Sequence, residues 1–178
     1  WNDHFERNSD IIYPIKTYKD INEAKSQGKV GIILGWQNTS AIENDLRKLK
    51  IFYDLGIRIA QLTYNTQNLV GSGCWETFDG GLSDFGKEVV LEMNKLGMVI
   101  DLSHVGPKTS SDTIQLSKSP VTYTHCCPAL KKHPRNKTDK QLKEIANKGG
   151  MIGFASYTPF LPKGSDSNID DCISAMDY

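Results

Sequence analysis

"SDFGKEVVLEMNKLGMVIDLSH" (residues 83–104) reads as one helix handing over to one strand. Ser83 stands where an N-cap belongs, and Phe85, Val89, Met93 and Leu96 recur at helical spacing before Gly97 supplies the stop. The chain then turns into a short apolar run, "MVIDLSH", which delivers Asp101, Ser103 and His104 as it ends. An amphipathic helix leading straight into a buried strand is the unit from which parallel sheets are built, because a helical crossover returns the next strand in the same direction.

The same alternation extends to both sides. "KVGIILGW" (29–36) is nearly continuously apolar and rich in β-branched residues, as expected of a strand buried on both faces. In the segment after it, Ser40 and Glu43 form a capping box, and Ile42, Leu46, Leu49 and Tyr53 share one helical face ahead of Gly56. "IRIAQLTY" (57–64) is the next strand, followed by a glycine-rich stretch to Gly81. Downstream, Pro107 opens a helix, 121–125 is a strand, Thr138 and Gln141 cap another helix, and 151–156 is a strand. No G-x-G-x-x-G follows any strand, so a dinucleotide-binding open sheet is disfavoured. Polar residues instead collect at strand C-termini: Gln37, Tyr64 with Asn65, His104 and His125. That distribution predicts an α/β fold of the TIM-type (β/α)8 barrel, which gathers its site from many strand ends on one face.

Composition narrows the function classes. The 178 residues are 38% hydrophobic and 24% charged, an ordinary balance for a folded domain. Lys and Arg number 21, as do Asp and Glu, so no net field favours nucleic acid, and the basic "KKHPRNK" does not change that. The longest apolar runs fall far short of the roughly 20 residues that span a bilayer. The four cysteines lack zinc-finger spacing, and Cys126 and Cys127 read as small buried hydrophobes rather than ligands. "GSGCWETFDGG" lacks the Lys-Ser/Thr of a P-loop and reads as a long loop over the barrel mouth.

Strand parity places His104 with Ile100 and Leu102, and His125 with Val121 and Tyr123, so successive strands each offer an imidazole at one height. Two such imidazoles can share a metal ion, and zinc suits them. Asp101 lies on the opposite parity and reads as a residue that orients a neighbour or supports the barrel. His133, before Pro134, reads as a loop residue.

"GLSDFGKEVVLEMNKLGMVIDLSHVG" and "VTYTHCCPALKKHPRNKTDKQLKEIANKGGMIGF" together resemble the membrane dipeptidase (renal dipeptidase) family, peptidase family M19, from about Val30 to Phe154. The resemblance implies a barrel with a two-zinc centre that hydrolyses dipeptides. It implies that His104 and His125 are zinc ligands and that Arg135 grips the substrate carboxylate, which suits its bidentate fork. The family's first-strand H-x-D ligands and its late, proton-handling aspartate have no match here. The chain, beginning at Trp1 and ending "DDCISAMDY", therefore reads as a piece: one partial barrel over 1–178, about strands 3 to 7. Open edges predict aggregation or a partner, a homodimer among the options.

Two positions depart from the family. Gln37 stands where a glutamate bridges the metals, and a neutral amide is a much poorer bridge between two cations, so one or two zinc ions are expected. Tyr64 stands where a histidine commonly contacts substrate; a phenol donates a hydrogen bond but is not a cation at neutral pH. Two functions stay open at this point: a zinc-dependent hydrolase of small peptides or related amides, and a dipeptidase-like barrel that binds or matures a small ligand without hydrolysis.

Overall fold

The structure is a computed structural model describing all 178 residues, Trp1–Tyr178. Its elements in chain order are α1 (Asn2–Arg7), β1 (Ile12–Pro14), α2 (Tyr18–Ser26), β2 (Val30–Ile32), β3 (Leu34–Trp36), α3 (Arg47–Asp54) and β4 (Ile57–Gln61). There follow α4 (Asp84–Leu96), β5 (Val99–Asp101), α5 (Pro107–Leu116), β6 (Thr122–Cys126), α6 (Asp139–Asn147), β7 (Met151–Phe154) and α7 (Ile169–Met176). β3 to β7 form one sheet in sequential order, every neighbour parallel, and β1 pairs in parallel with β2. Sequential parallel βα units are those of a TIM-type barrel, here an open arc that does not close on itself. No helix is long and apolar enough to cross a membrane.

α4 forms as its sequence dictates. Ser83 Oγ accepts the Gly86 N–H at 2.8 Å, and Gly97 takes the left-handed conformation (φ 75°) that releases the chain into β5. Val89, Val90 and Met93 are fully buried against Ile100, Leu102 and Tyr123 of the sheet's outer face, where Leu49, Ile114 and Ile145 from the neighbouring helices join one core. The other face of the strands carries Val99, Asp101, Thr122, Thr124 and Met151, since Asp101 pairs with Thr122 and Thr122 with Met151.

Three details differ from the sequence reading. Residues 29–36 are not one strand: the run breaks at Ile33, and its halves pair with different partners, β2 with β1 and β3 with β4. The strand at 12–14 carries too short an apolar run to stand out. The helix expected from Ser40 is a 3-10 turn, Thr39–Ile42, capped by Asn38, whose Oδ1 accepts the Ser40 N–H at 3.0 Å. Glu43 at φ 51° then breaks the chain before α3, although Ile42 and Leu49 still reach the core.

Candidate metal centre

The C-terminal ends of β4, β5 and β6 meet at two imidazoles. His125 lies within β6, whereas β5 ends at Asp101 and His104 sits beyond it, in a turn closed by the Val105 N–H on the Leu102 carbonyl at 3.1 Å. The turn, not strand alternation, therefore aims His104. The two Nε2 atoms stand 2.9 Å apart. Behind His104, Nδ1 lies 2.6 Å from Asn65 Oδ1; behind His125, Nδ1 lies 2.7 Å from Thr124 Oγ1. Asn65 holds its place in the left-handed region (φ 63°), which asparagine tolerates better than most residues.

The glycine-rich loop expected over the mouth clamps this turn. Cys74 N–H donates to the His104 carbonyl at 3.0 Å and Trp75 N–H to the Asn65 carbonyl at 2.9 Å. Gly73 is required there, because a Cβ at that position would lie 2.1 Å from the Asn65 carbonyl oxygen. Trp75 then meets His133 edge-on at 5.8 Å, and His133 Nδ1 accepts the Arg135 N–H.

Arg135 is 2% exposed. Its Nη1 donates to the Ser103 carbonyl at 3.2 Å and its Nη2 to the His125 carbonyl at 3.0 Å, while Nε is buried without a partner. Tyr64 lies at the mouth with its ring stacked on His104, centroids 4.1 Å apart and planes at 20°. Gln37 follows β3 at the same edge of the sheet; its carbonyl accepts from Gln61 Nε2 at 2.6 Å, and its exposed side chain makes no hydrogen bond. The fold thus joins Tyr64, His104, His125 and Arg135 directly, and leaves the Gln37 amide unengaged.

Electrostatics keep both rings neutral. Burial, then the charges of Arg135, His125 and Lys137, push His104 down to about 3. Burial also lowers His125, with Asp101 opposing the fall and Arg135 and Lys137 adding to it. Neutral imidazole is the form that binds metal. No third His, Cys, Asp or Glu joins the pair as a potential ligand. Cys126 and Cys127 are free, buried thiols raised by burial, as small core residues should be.

The sequence reading gave no role to Ser103, Thr124 or Lys137. Lys137 is 1% exposed, with Nζ 3.4 Å from the Leu102 carbonyl and 3.3 Å from that of Val105, so it braces the His104 turn from within. Burial pushes it down to about 8. Strand alternation contained a signal for Thr124, which shares the Asp101 face; nothing local marked Lys137.

The chain is similar to known proteins in sequence and in fold. An uncharacterized dipeptidase of Schizosaccharomyces pombe is 36% identical over 154 residues, 83% of this chain but 37% of that protein. The crystal structure of an amidohydrolase from Pseudomonas aeruginosa superposes with a TM-score of 0.95 at 52% identity, covering 99% of this chain and 55% of the other. A metallo peptidase from Rhodobacter sphaeroides, liganded with a phosphinate mimic of the dipeptide L-Ala-D-Ala, gives 0.87 at 28% identity over 93% of this chain and 50% of that one. The chain thus spans well under two thirds of the length of each. The family model for membrane dipeptidase (peptidase family M19) matches residues 3–178. With its paired histidines, buried arginine and parallel βα units in that order, this chain belongs to the membrane dipeptidase family, peptidase family M19.

Proposed function

We propose that these residues form part of a zinc-dependent, dipeptidase-like hydrolase acting on dipeptides or related small amides. The observation that carries the reading is the 2.9 Å approach of two neutral Nε2 atoms. Two nitrogens bound to one tetrahedral zinc at its usual bond length stand about 3.3 Å apart, so a small opening of this pair admits the ion. His104 and His125 would hold one metal through their Nε2 atoms. Zinc there would supply Lewis acidity toward a carbonyl and a water near neutral pH.

The surrounding residues suit a small substrate with a free carboxylate. Arg135 spends one N–H of each terminal nitrogen on a backbone carbonyl and keeps N–H groups, Nε among them, without an acceptor. A substrate carboxylate is the natural acceptor for such a fork. Tyr64 at the mouth offers a phenolic donor beside His104.

Gln37 favours a second reading, a barrel that binds or matures a small ligand without hydrolysis. Its neutral amide removes about one unit of the charge that would hold a second divalent ion close to the first. One experiment separates the readings: zinc content by elemental analysis of the intact protein and of a His104→Ala, His125→Ala double variant, with a dipeptide hydrolysis panel beside it. Zinc lost in the variant together with dipeptide turnover in the parent supports the hydrolase. Zinc without turnover supports the second reading, and a parent that takes up no zinc overturns the hydrolase and leaves only the second reading.

A further inference from the structure

The hydrogen bonds behind His125 form a chain whose proton positions can be deduced. Asp101 is 3% exposed and its carboxylate accepts four hydrogen bonds: Ser103 N–H at 3.0 Å, Ser103 Oγ–H at 2.5 Å and Thr124 N–H at 3.0 Å on Oδ1, and Thr124 Oγ1–H at 2.7 Å on Oδ2. Each hydroxyl owns one proton. Ser103 gives its proton to Asp101 and so accepts the His125 backbone N–H at 3.1 Å. Thr124 gives its own to Asp101 Oδ2, the only group on that oxygen. Its Oγ1 can then meet His125 Nδ1, 2.7 Å away, only as an acceptor.

We infer that Asp101, acting through the Thr124 hydroxyl, holds His125 as the Nδ1–H tautomer and so aims its bare Nε2 at the metal position. Both are positioning residues, and the inference rests on the metal-centre reading above. On the other side, Asn65 Oδ1 imposes the same tautomer on His104. The Cys74 thiol also points at that oxygen, at 3.8 Å, as it would at an acceptor. Two unprotonated nitrogens then face each other at 2.9 Å with no proton to share, an arrangement that repels unless a cation sits between them. Outer hydrogen bonds of this kind fix ring orientation and strengthen a histidine as a donor.

The test reads the tautomer first. Long-range proton–nitrogen correlation spectra of the metal-free intact protein, with labelled histidine assigned by His125→Gln, show which ring nitrogen carries the proton. The expected result is Nδ1–H for His125 in the parent and in Thr124→Ser, and a shift toward Nε2–H in Thr124→Val and Asp101→Asn. A parent that already shows Nε2–H overturns the inference without any variant being needed. Zinc competition against a chromophoric chelator is the second readout: Thr124→Val should bind roughly 10- to 100-fold more weakly, with Thr124→Ser close to the parent. Equal affinity for Thr124→Val and parent overturns the role of the relay. A parent with the expected tautomer but no zinc uptake overturns the metal reading and leaves the hydrogen-bond chain standing.

Discussion

His104 and His125 face each other Nε2 to Nε2 at 2.9 Å, although 21 positions of chain separate them. One rides on a turn and the other on a strand, and both are gripped from behind by oxygen atoms of Asn65 and Thr124. Backbone carbonyls flanking the pair are tied down by the buried Arg135 guanidinium. The geometry is thus set by groups that a metal would not touch, which is how a site comes to be organised before its ligand arrives.

Acid should weaken the metal-free fold through His104. Its ring, held down to about 3 when folded, has an ordinary value of 6.5 when unfolded. Between those values the unfolded chain binds more protons, so the contribution is whole above pH 6.5 and is lost as pH falls toward 3. Followed by circular dichroism, the Tm of the parent should drop more between pH 6.5 and pH 4 than that of His104→Asn. Parallel curves for the two would refute the buried neutral ring.

Lys137 predicts the opposite end of the pH scale. Burial moves its ammonium from 10.5 down to about 8, so the unfolded chain binds more protons between those values and stability rises with pH there. Relative to Lys137→Met, the parent should gain on the order of 1–3 kcal/mol between pH 8 and pH 10 in urea melts. A constant difference across that range would show that Lys137 is not desolvated.

Gly73→Ala tests the clamp at a distance from the two imidazoles. A methyl there meets the Asn65 carbonyl oxygen at 2.1 Å, and backbone at that distance has to move. Asn65 is the group behind His104, so zinc affinity should fall along with stability. A variant that binds zinc like the parent would mean the Asn65 contact does not govern His104.

Burial and exposed charge should separate clearly. Ile100 is fully buried on β5, and Ile100→Ala should cost about 2–5 kcal/mol in denaturant unfolding. Lys50 makes an i,i+4 ion pair with Asp54 at 2.6 Å, but both side chains are more than half exposed, at 59% and 56%. Lys50→Ala should change stability by no more than about 0.5 kcal/mol. A comparable loss at both positions would contradict the assignment of the core to the outer face of the sheet.

The elements themselves were legible wherever a local rule governs them. Ser83 and Gly97 bound α4, Pro107 opens α5, and Thr138 with Gln141 caps α6, because caps and helix starts are decided by hydrogen bonds within a few residues. The break at Ile33 was not legible, since nothing in an apolar run tells which neighbour each half will pair with. Glu43 defeated the capping box for a related reason: it takes a positive φ of 51° at the end of the 3-10 turn, which its residue type does not announce.

The alternation of parallel βα units and the arrival of two histidines near neighbouring strand ends were readable along the chain, because periodicity and position are local properties. The packing of distant segments settled that His104 turns toward His125 from beyond its strand, that Thr124 and Asp101 stand behind one ring and Asn65 behind the other, and that Arg135 and Lys137 are buried. Those outcomes depend on which surfaces close over one another, and burial, tautomer and charge state follow from that closure rather than from any residue's neighbours in sequence.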